Sequence, residues 1–70
     1  MSLPPGDDAH NERLEAWRAV TWNTTTANLD AYMALLVRDR LSGVMNVSGW
    51  EINLENVAEK RALIAERETT

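Results

Sequence analysis

The 70-residue chain contains no cysteine, no phenylalanine and a single histidine, His10. Without cysteine, disulfides and thiolate zinc sites are excluded, and one histidine cannot form a metal cluster by itself. We therefore expect neither a metal nor another cofactor. A core of this size rarely supplies more than roughly 3–5 kcal/mol of stability without such cross-links. The remaining routes to a stable fold are well-matched helix packing and oligomerisation.

Positive charge and long apolar runs are also scarce. Seven basic and eleven acidic side chains give a formal net charge of −4, which argues against a protein that grips phosphate backbones. No apolar run reaches the roughly 18 residues that span a bilayer, and the first residues lack the basic and apolar regions of a secretory signal. We expect a protein that is intracellular where it is made, with no membrane partner and no specific nucleic-acid binding.

Catalytic patterns are missing as well. Gly6, Gly43 and Gly49 are isolated and form no phosphate-binding loop. His10 has no serine or aspartate at a spacing typical of a catalytic pair, and no two carboxylates are placed together in an apolar setting. We predict that the protein is not an enzyme and has no small-molecule substrate.

The sequence predicts a flexible N-terminal arm over residues 1–6. One domain is expected to follow over residues 7–68. Proline and glycine dominate the end of the arm. Asp7 or Asp8 is expected to cap a first helix that buries Leu14 and Trp17. The threonine-rich run over 21–26 favours the end of that helix, because β-branched and cap-forming residues disfavour the helix interior.

A second helix is the strongest prediction. Thr26 or Asn28 is expected to cap it, with Asp30 in its first turn. Gly43 is expected to end it in the left-handed conformation. Its apolar residues follow the i, i+3, i+4, i+7, i+8 spacing of an amphipathic helix: Leu29, Tyr32, Met33, Leu36 and Val37.

The next segment alternates between apolar and polar residues. A Ser48-Gly49 turn would pair Val47 with Trp50 and Met45 with Ile52 on one face, as in a half-buried β-hairpin. Asn53 is then expected to cap a third helix from Leu54 to about Glu68. The expected fold class is α+β: mostly helical, with an N-terminal helix, a second helix, a two-stranded hairpin and a last helix.

These patterns divide the larger side chains into core and interface. The predicted interface combines an aromatic anchor, three arginines suited to carboxylate pairing and an outward-facing leucine: Trp22, Arg38, Arg40, Arg61 and Leu63. The predicted core consists of Leu14, Trp17, Leu29, Tyr32, Met33, Leu36, Met45, Val47, Trp50, Ile52, Leu54, Val57 and Ile64.

The order of helix, glycine stop, hairpin and helix resembles the small head-to-tail joining proteins of long-tailed bacteriophages, of the lambda W-protein type. The residues that carry the resemblance are three segments, Leu29–Leu36, Ser42–Ile52 and Leu54–Glu66. The stretch that contains them, from Leu29 to Glu68, covers about forty residues. The match is one of element lengths and apolar positions, without an invariant motif.

The resemblance implies a structural virion protein made in the cytoplasm of a host bacterium. Such a protein would form a homo-oligomeric ring, commonly dodecameric, and act as a connector between the portal protein and the tail-completion proteins. This chain departs from that family in two respects. About 28 residues precede the matching segment, and the chain stops almost at the end of its last helix, where the family has a tail-attachment segment.

Two other classes compete with the joining role. One is a small dimeric DNA-binding regulator or antitoxin, in which residues 20–24 would form a dimer strand. The net charge of −4 and the hairpin-like alternation weigh against it. The other is a helical protein–protein adaptor.

Overall fold

Three α-helices pack into an all-α bundle. The computed structural model describes the backbone of residues 5–69 and the side chains of residues 8–68. The helices are α1 (Pro5–Trp22), α2 (Thr26–Ser42) and α3 (Val47–Thr69), and residues 5–69 contain no strand. The predicted α+β class is therefore wrong. Short connections make neighbouring helices antiparallel, and the central helix α2 packs against both α1 and α3.

Helix α1 begins earlier than predicted. It begins at Pro5, a position where proline is favoured because the first helical N–H needs no partner. Asp7 and Asp8 consequently lie inside the first turn and do not precede the helix. Residues 1–4 of the predicted arm lie outside the described residues. The Thr24 hydroxyl donates to the Val20 carbonyl at 2.8 Å, so the threonine-rich run does terminate the helix, as predicted.

Helix α2 confirms the predicted apolar stripe except at Val37, which is 40% exposed, and differs at its start. Its N-cap is Thr25, whose hydroxyl accepts from the Asn28 N–H at 3.1 Å. The cap therefore lies before the two predicted candidates, and Asp30 falls beyond the first turn. Asn28 instead closes the α1–α2 connection by donating to the Asn23 carbonyl at 2.7 Å. Gly43 has φ of 84°, which confirms the left-handed stop.

Helix α3 begins seven residues earlier than predicted and replaces the hairpin. The side-chain oxygen of Asn46 accepts from the Gly49 N–H at 2.8 Å, and its carbonyl accepts from the Trp50 N–H at 3.0 Å. This is the geometry of a helix N-cap. Gly49 therefore lies in the first turn of a helix and not in the predicted hairpin turn. A Cβ on Gly49 would lie 3.2 Å from the capping oxygen, so glycine lets the cap approach closely.

Replacing Asn46 with alanine is expected to lower the free energy of unfolding by about 1 kcal/mol, because the Gly49 N–H loses its acceptor. Asn46→Asp should retain most of the stability, since a carboxylate also caps a helix N-terminus. Urea unfolding followed by circular dichroism measures both. Equal losses for the two variants would contradict the cap.

The core lies along one side of α2 and receives residues from both neighbouring helices. Five predicted core residues are buried: Leu29, Tyr32, Leu36, Met45 and Val57. Val20 of α1 joins them, and Trp17, Met33, Trp50 and Ile64 pack against them while half-buried. Leu54 is also half-buried.

Three residues predicted for the core lie at the surface. Ile52 is 60% exposed, because in a helix it points about 200° away from Trp50, whereas a hairpin would place both on one face. Val47 is 51% exposed because it is the first residue of α3. Leu14 is 39% exposed and lines a cleft described below.

Candidate functional site

A buried carboxylate joins α1 to α2. Asp39 is 1% exposed and accepts hydrogen bonds from the guanidinium groups of Arg13 and Arg38. The Arg38 bond measures 2.8 Å, and Arg38 also donates to the Glu12 carboxylate at 3.0 Å. Buried carboxylates are rare unless they are paired in this way. We call Glu12, Arg13, Arg38 and Asp39 the ion cluster.

The ion cluster holds its central carboxylate ionised. Burial by itself raises the pKa of Asp39, but the hydrogen bonds from Arg38 and Arg13 outweigh burial and leave the pKa below its ordinary value. A carboxylate held in this state by two cations is unsuited to proton transfer near neutral pH. The cluster is therefore a structural link between two helices.

Acid is expected to destabilise the protein through Asp39. Its pKa is lower in the folded chain than in the unfolded chain, so its contribution is complete above the unfolded value of about 3.9 and is lost as the pH falls through the folded pKa. Thermal unfolding at pH 7, 5 and 3 should show the main loss between the last two. In the double variant Arg13→Leu, Asp39→Leu, which leaves no buried charge unpaired, this part of the pH dependence should disappear. If the loss of stability between pH 5 and pH 3 were the same in that variant, Asp39 would not be its cause.

A second polar contact joins α2 to α3. The Tyr32 hydroxyl donates to the side-chain oxygen of Asn53 at 2.9 Å, and the Asn53 amide donates to the Gly49 carbonyl at 2.7 Å. Burial raises the pKa of Tyr32, opposed in part by the positive charge of Arg13, so the hydroxyl stays protonated and able to donate. Asn53 is thus an interhelical link in the interior of α3, and the prediction that it caps a helix is wrong.

Between these two links, the three helices enclose an open cleft of about 240 Å³. The Trp17 and Tyr32 rings meet on one side of it, with centroids 5.0 Å apart and a 49° angle between planes. The Lys60 ammonium lies 5.7 Å from the centroid of the Trp17 ring, within range of a cation–π contact. The lining residues are His10, Arg13, Leu14, Trp17, Tyr32, Asn53 and Asn56.

The predicted interface residues do not form one site. Trp22 is 92% exposed and Leu63 is 47% exposed. Arg38 belongs to the ion cluster, and Arg61 donates to Asp30 at 3.1 Å, which links α3 to α2. Arg40 is half-buried in the last turn of α2. The two paired arginines contribute to the fold, and any role at an interface stays a prediction.

Five of the larger exposed apolar side chains, including the two most exposed, Trp22 and Leu41, fall into two groups near the ends of α2. Trp22 ends α1, next to the start of α2, and we call its surroundings the Trp22 end. At the other end, Val37, Leu41, Val44 and Val47 are 40%, 83%, 44% and 51% exposed. We call these four residues the apolar corner. Leu41 follows Thr26 by fifteen positions in α2, a distance of about 22 Å along the helix axis.

Comparisons with known proteins give no relative. A scan against family models finds no match, and searches of curated proteins and of solved structures find no similar protein. Within the described part of the chain, no helix has both the length and the apolar character needed to cross a membrane. The same residues contain no group of three or more side chains suited to hold a metal ion.

Proposed function

We propose that this protein is a non-enzymatic helical subunit that assembles with further copies of itself. In this arrangement, the Trp22 end of one copy packs on the apolar corner of the next. The observation that supports the proposal is the near-complete exposure of Trp22 and Leu41 at opposite ends of a domain with a very small core. Tryptophan in particular is enriched at the energetic centres of interfaces.

Contact between opposite ends of neighbouring copies restricts the symmetry of the assembly. Two different patches that meet form a heterologous interface, which closes into a ring or continues as a filament. The connector role implied by the resemblance requires an interface of this kind. That role stays a prediction, as do the portal and tail-completion partners, and the hairpin that carried part of the resemblance is wrong. The net charge of −4 continues to weigh against a nucleic-acid partner.

The expected affinity is modest. A tryptophan that buries about 200 Å² contributes roughly 5 kcal/mol, and a leucine adds about 2 kcal/mol. Association costs at least about 4 kcal/mol in lost translational and rotational freedom. The surplus from these two side chains is at most about 3 kcal/mol, which corresponds to a dissociation constant of several millimolar for a single contact. Closure into a ring would strengthen the assembly, because the last contact forms within one particle.

Sedimentation equilibrium over a wide concentration range tests the proposal. The wild-type mass should rise above the monomer value of 7.9 kDa as concentration increases. Leu41→Lys and Trp22→Lys should each remain monomeric, and both should keep their fold, since the side chains are exposed and lysine is favourable near helix C-termini. Ala34→Lys, at an exposed site in the middle of α2, is the matched control and should associate like the wild type.

Two results would contradict self-assembly. One is a wild-type mass that stays at the monomer value up to millimolar concentration. The other is equal loss of association in the Ala34→Lys control, which would show that added positive charge, and not loss of an apolar contact, prevents assembly.

A further inference from the structure

The cleft between the three helices has two chemically different sides. Leu14, Trp17 and Tyr32 supply apolar and aromatic surface, and the two rings are fixed against each other. His10, Arg13, Asn53 and Asn56 supply polar groups. Small-molecule sites typically combine an apolar wall with a few polar groups that fix orientation.

The charges around the cleft are of one sign. No aspartate or glutamate lines it, although acidic residues outnumber basic ones in the chain. Arg13 lies in the lining, and Lys60, which is outside the lining, lies over the ring of the lining residue Trp17. Arg13 is paired with Asp39, and Asp39 is in turn shared with Arg38. A guanidinium has five N–H donors, and Asp39 accepts from only one nitrogen of Arg13.

From these observations we propose that the cleft binds a small aromatic carboxylate. The aromatic ring packs against Leu14 and Trp17, and the carboxylate lies toward Arg13 and Lys60. A volume of about 240 Å³ is below the range of drug-sized ligand sites and suits a molecule with a single ring. The inference does not depend on self-assembly, because the cleft is formed within one chain.

Titration of the full-length, ¹⁵N-labelled protein with sodium benzoate at constant ionic strength tests this site by NMR. The Trp17 indole N–H and the backbone amides around His10 and Asn56 should shift together and saturate. Benzamide, which has the same shape without the charge, should bind about tenfold more weakly or worse, because the cations lose their partner. Benzamide binding thus measures the contribution of shape alone, and the difference between the two affinities measures the contribution of the charge.

Lys60→Gln should weaken benzoate binding about fivefold or more, since the ammonium is removed from beside the Trp17 ring. Lys60→Arg should restore it, and Glu59→Gln serves as the control for a neighbouring change of charge. The amide spectrum of each variant reports whether the fold is intact. The proposal fails if benzoate and benzamide bind equally. It also fails if the shifts centre on Trp22 or Trp50, or if no resonance moves at concentrations of about 20 mM, where even a very weak site responds.

Discussion

Asp39→Ala is expected to leave most of the protein unfolded at 25 °C. The variant removes the buried partner of Arg13, whose side chain is only 15% exposed, and an unpaired buried charge costs about 3–5 kcal/mol. A domain of this size has roughly that much stability in total. Far-UV circular dichroism in buffer and a urea titration measure the loss.

The matched control is Glu12→Ala, which removes the exposed end of the same ion cluster. Arg38 and Glu12 are 43% and 53% exposed, and pairs of that kind contribute at most about 1 kcal/mol. The double variant Arg13→Leu, Asp39→Leu should be much more stable than Asp39→Ala, since it leaves no buried charge unpaired. If Asp39→Ala lost no more stability than Glu12→Ala, the ion cluster would not link α1 to α2 as described.

Leu36→Ala is expected to have an effect of similar size for a different reason. Leu36 is fully buried in the cluster with Val20, Leu29 and Tyr32. Truncation removes apolar contact and leaves a cavity, at a cost of about 2–5 kcal/mol. Because α2 lies between α1 and α3, the loss should affect the whole bundle in one transition. Urea unfolding at low protein concentration measures it without a contribution from assembly.

Val37→Ala provides the adjacent control. Val37 is 40% exposed, so its truncation should cost less than about 1 kcal/mol. Similar losses at the two positions would contradict the placement of Leu36 in the core and Val37 in the apolar corner.

The central helix was predictable because its sequence carries two independent signals. The spacing of Leu29, Tyr32, Met33 and Leu36 allows only a helical face, and Gly43 marks the end. Leu29, Tyr32 and Leu36 followed from this pattern and are buried. Met45 is also buried, although the hairpin that placed it in the core is wrong.

The hairpin prediction was wrong because residues 45–52, taken alone, fit both the two-residue period of a strand and the 3.6-residue period of a helix. Met45, Val47, Trp50 and Ile52 fit a two-residue alternation across a turn. Over a longer window, Trp50, Leu54, Val57 and Ile64 follow spacings of four, three and seven residues, which indicate a helix. Asn46, three residues before Gly49, is the cap signal that would have decided between them.

The ion cluster and the cleft were missed for another reason. Asp39 follows Tyr32 and Leu36 at helical spacing, so its position on the buried face was readable. Because Asp39 is charged, the sequence alone suggests that it faces solvent. The arginine that compensates its charge, Arg13, lies 26 residues away on α1. No periodicity encodes such a tertiary pairing, and the cleft likewise depends on how three helices meet.

Mixing two variants tests self-assembly through opposite ends most directly. Trp22→Lys keeps an intact apolar corner, and Leu41→Lys keeps an intact Trp22 end. If the Trp22 end of one copy packs on the corner of the next, each variant alone is a monomer. An equimolar mixture at high concentration then contains a species of twice the monomer mass by sedimentation equilibrium. A mixture that remains monomeric where the wild type associates, or a Trp22→Lys variant that still dimerises alone, would contradict the account.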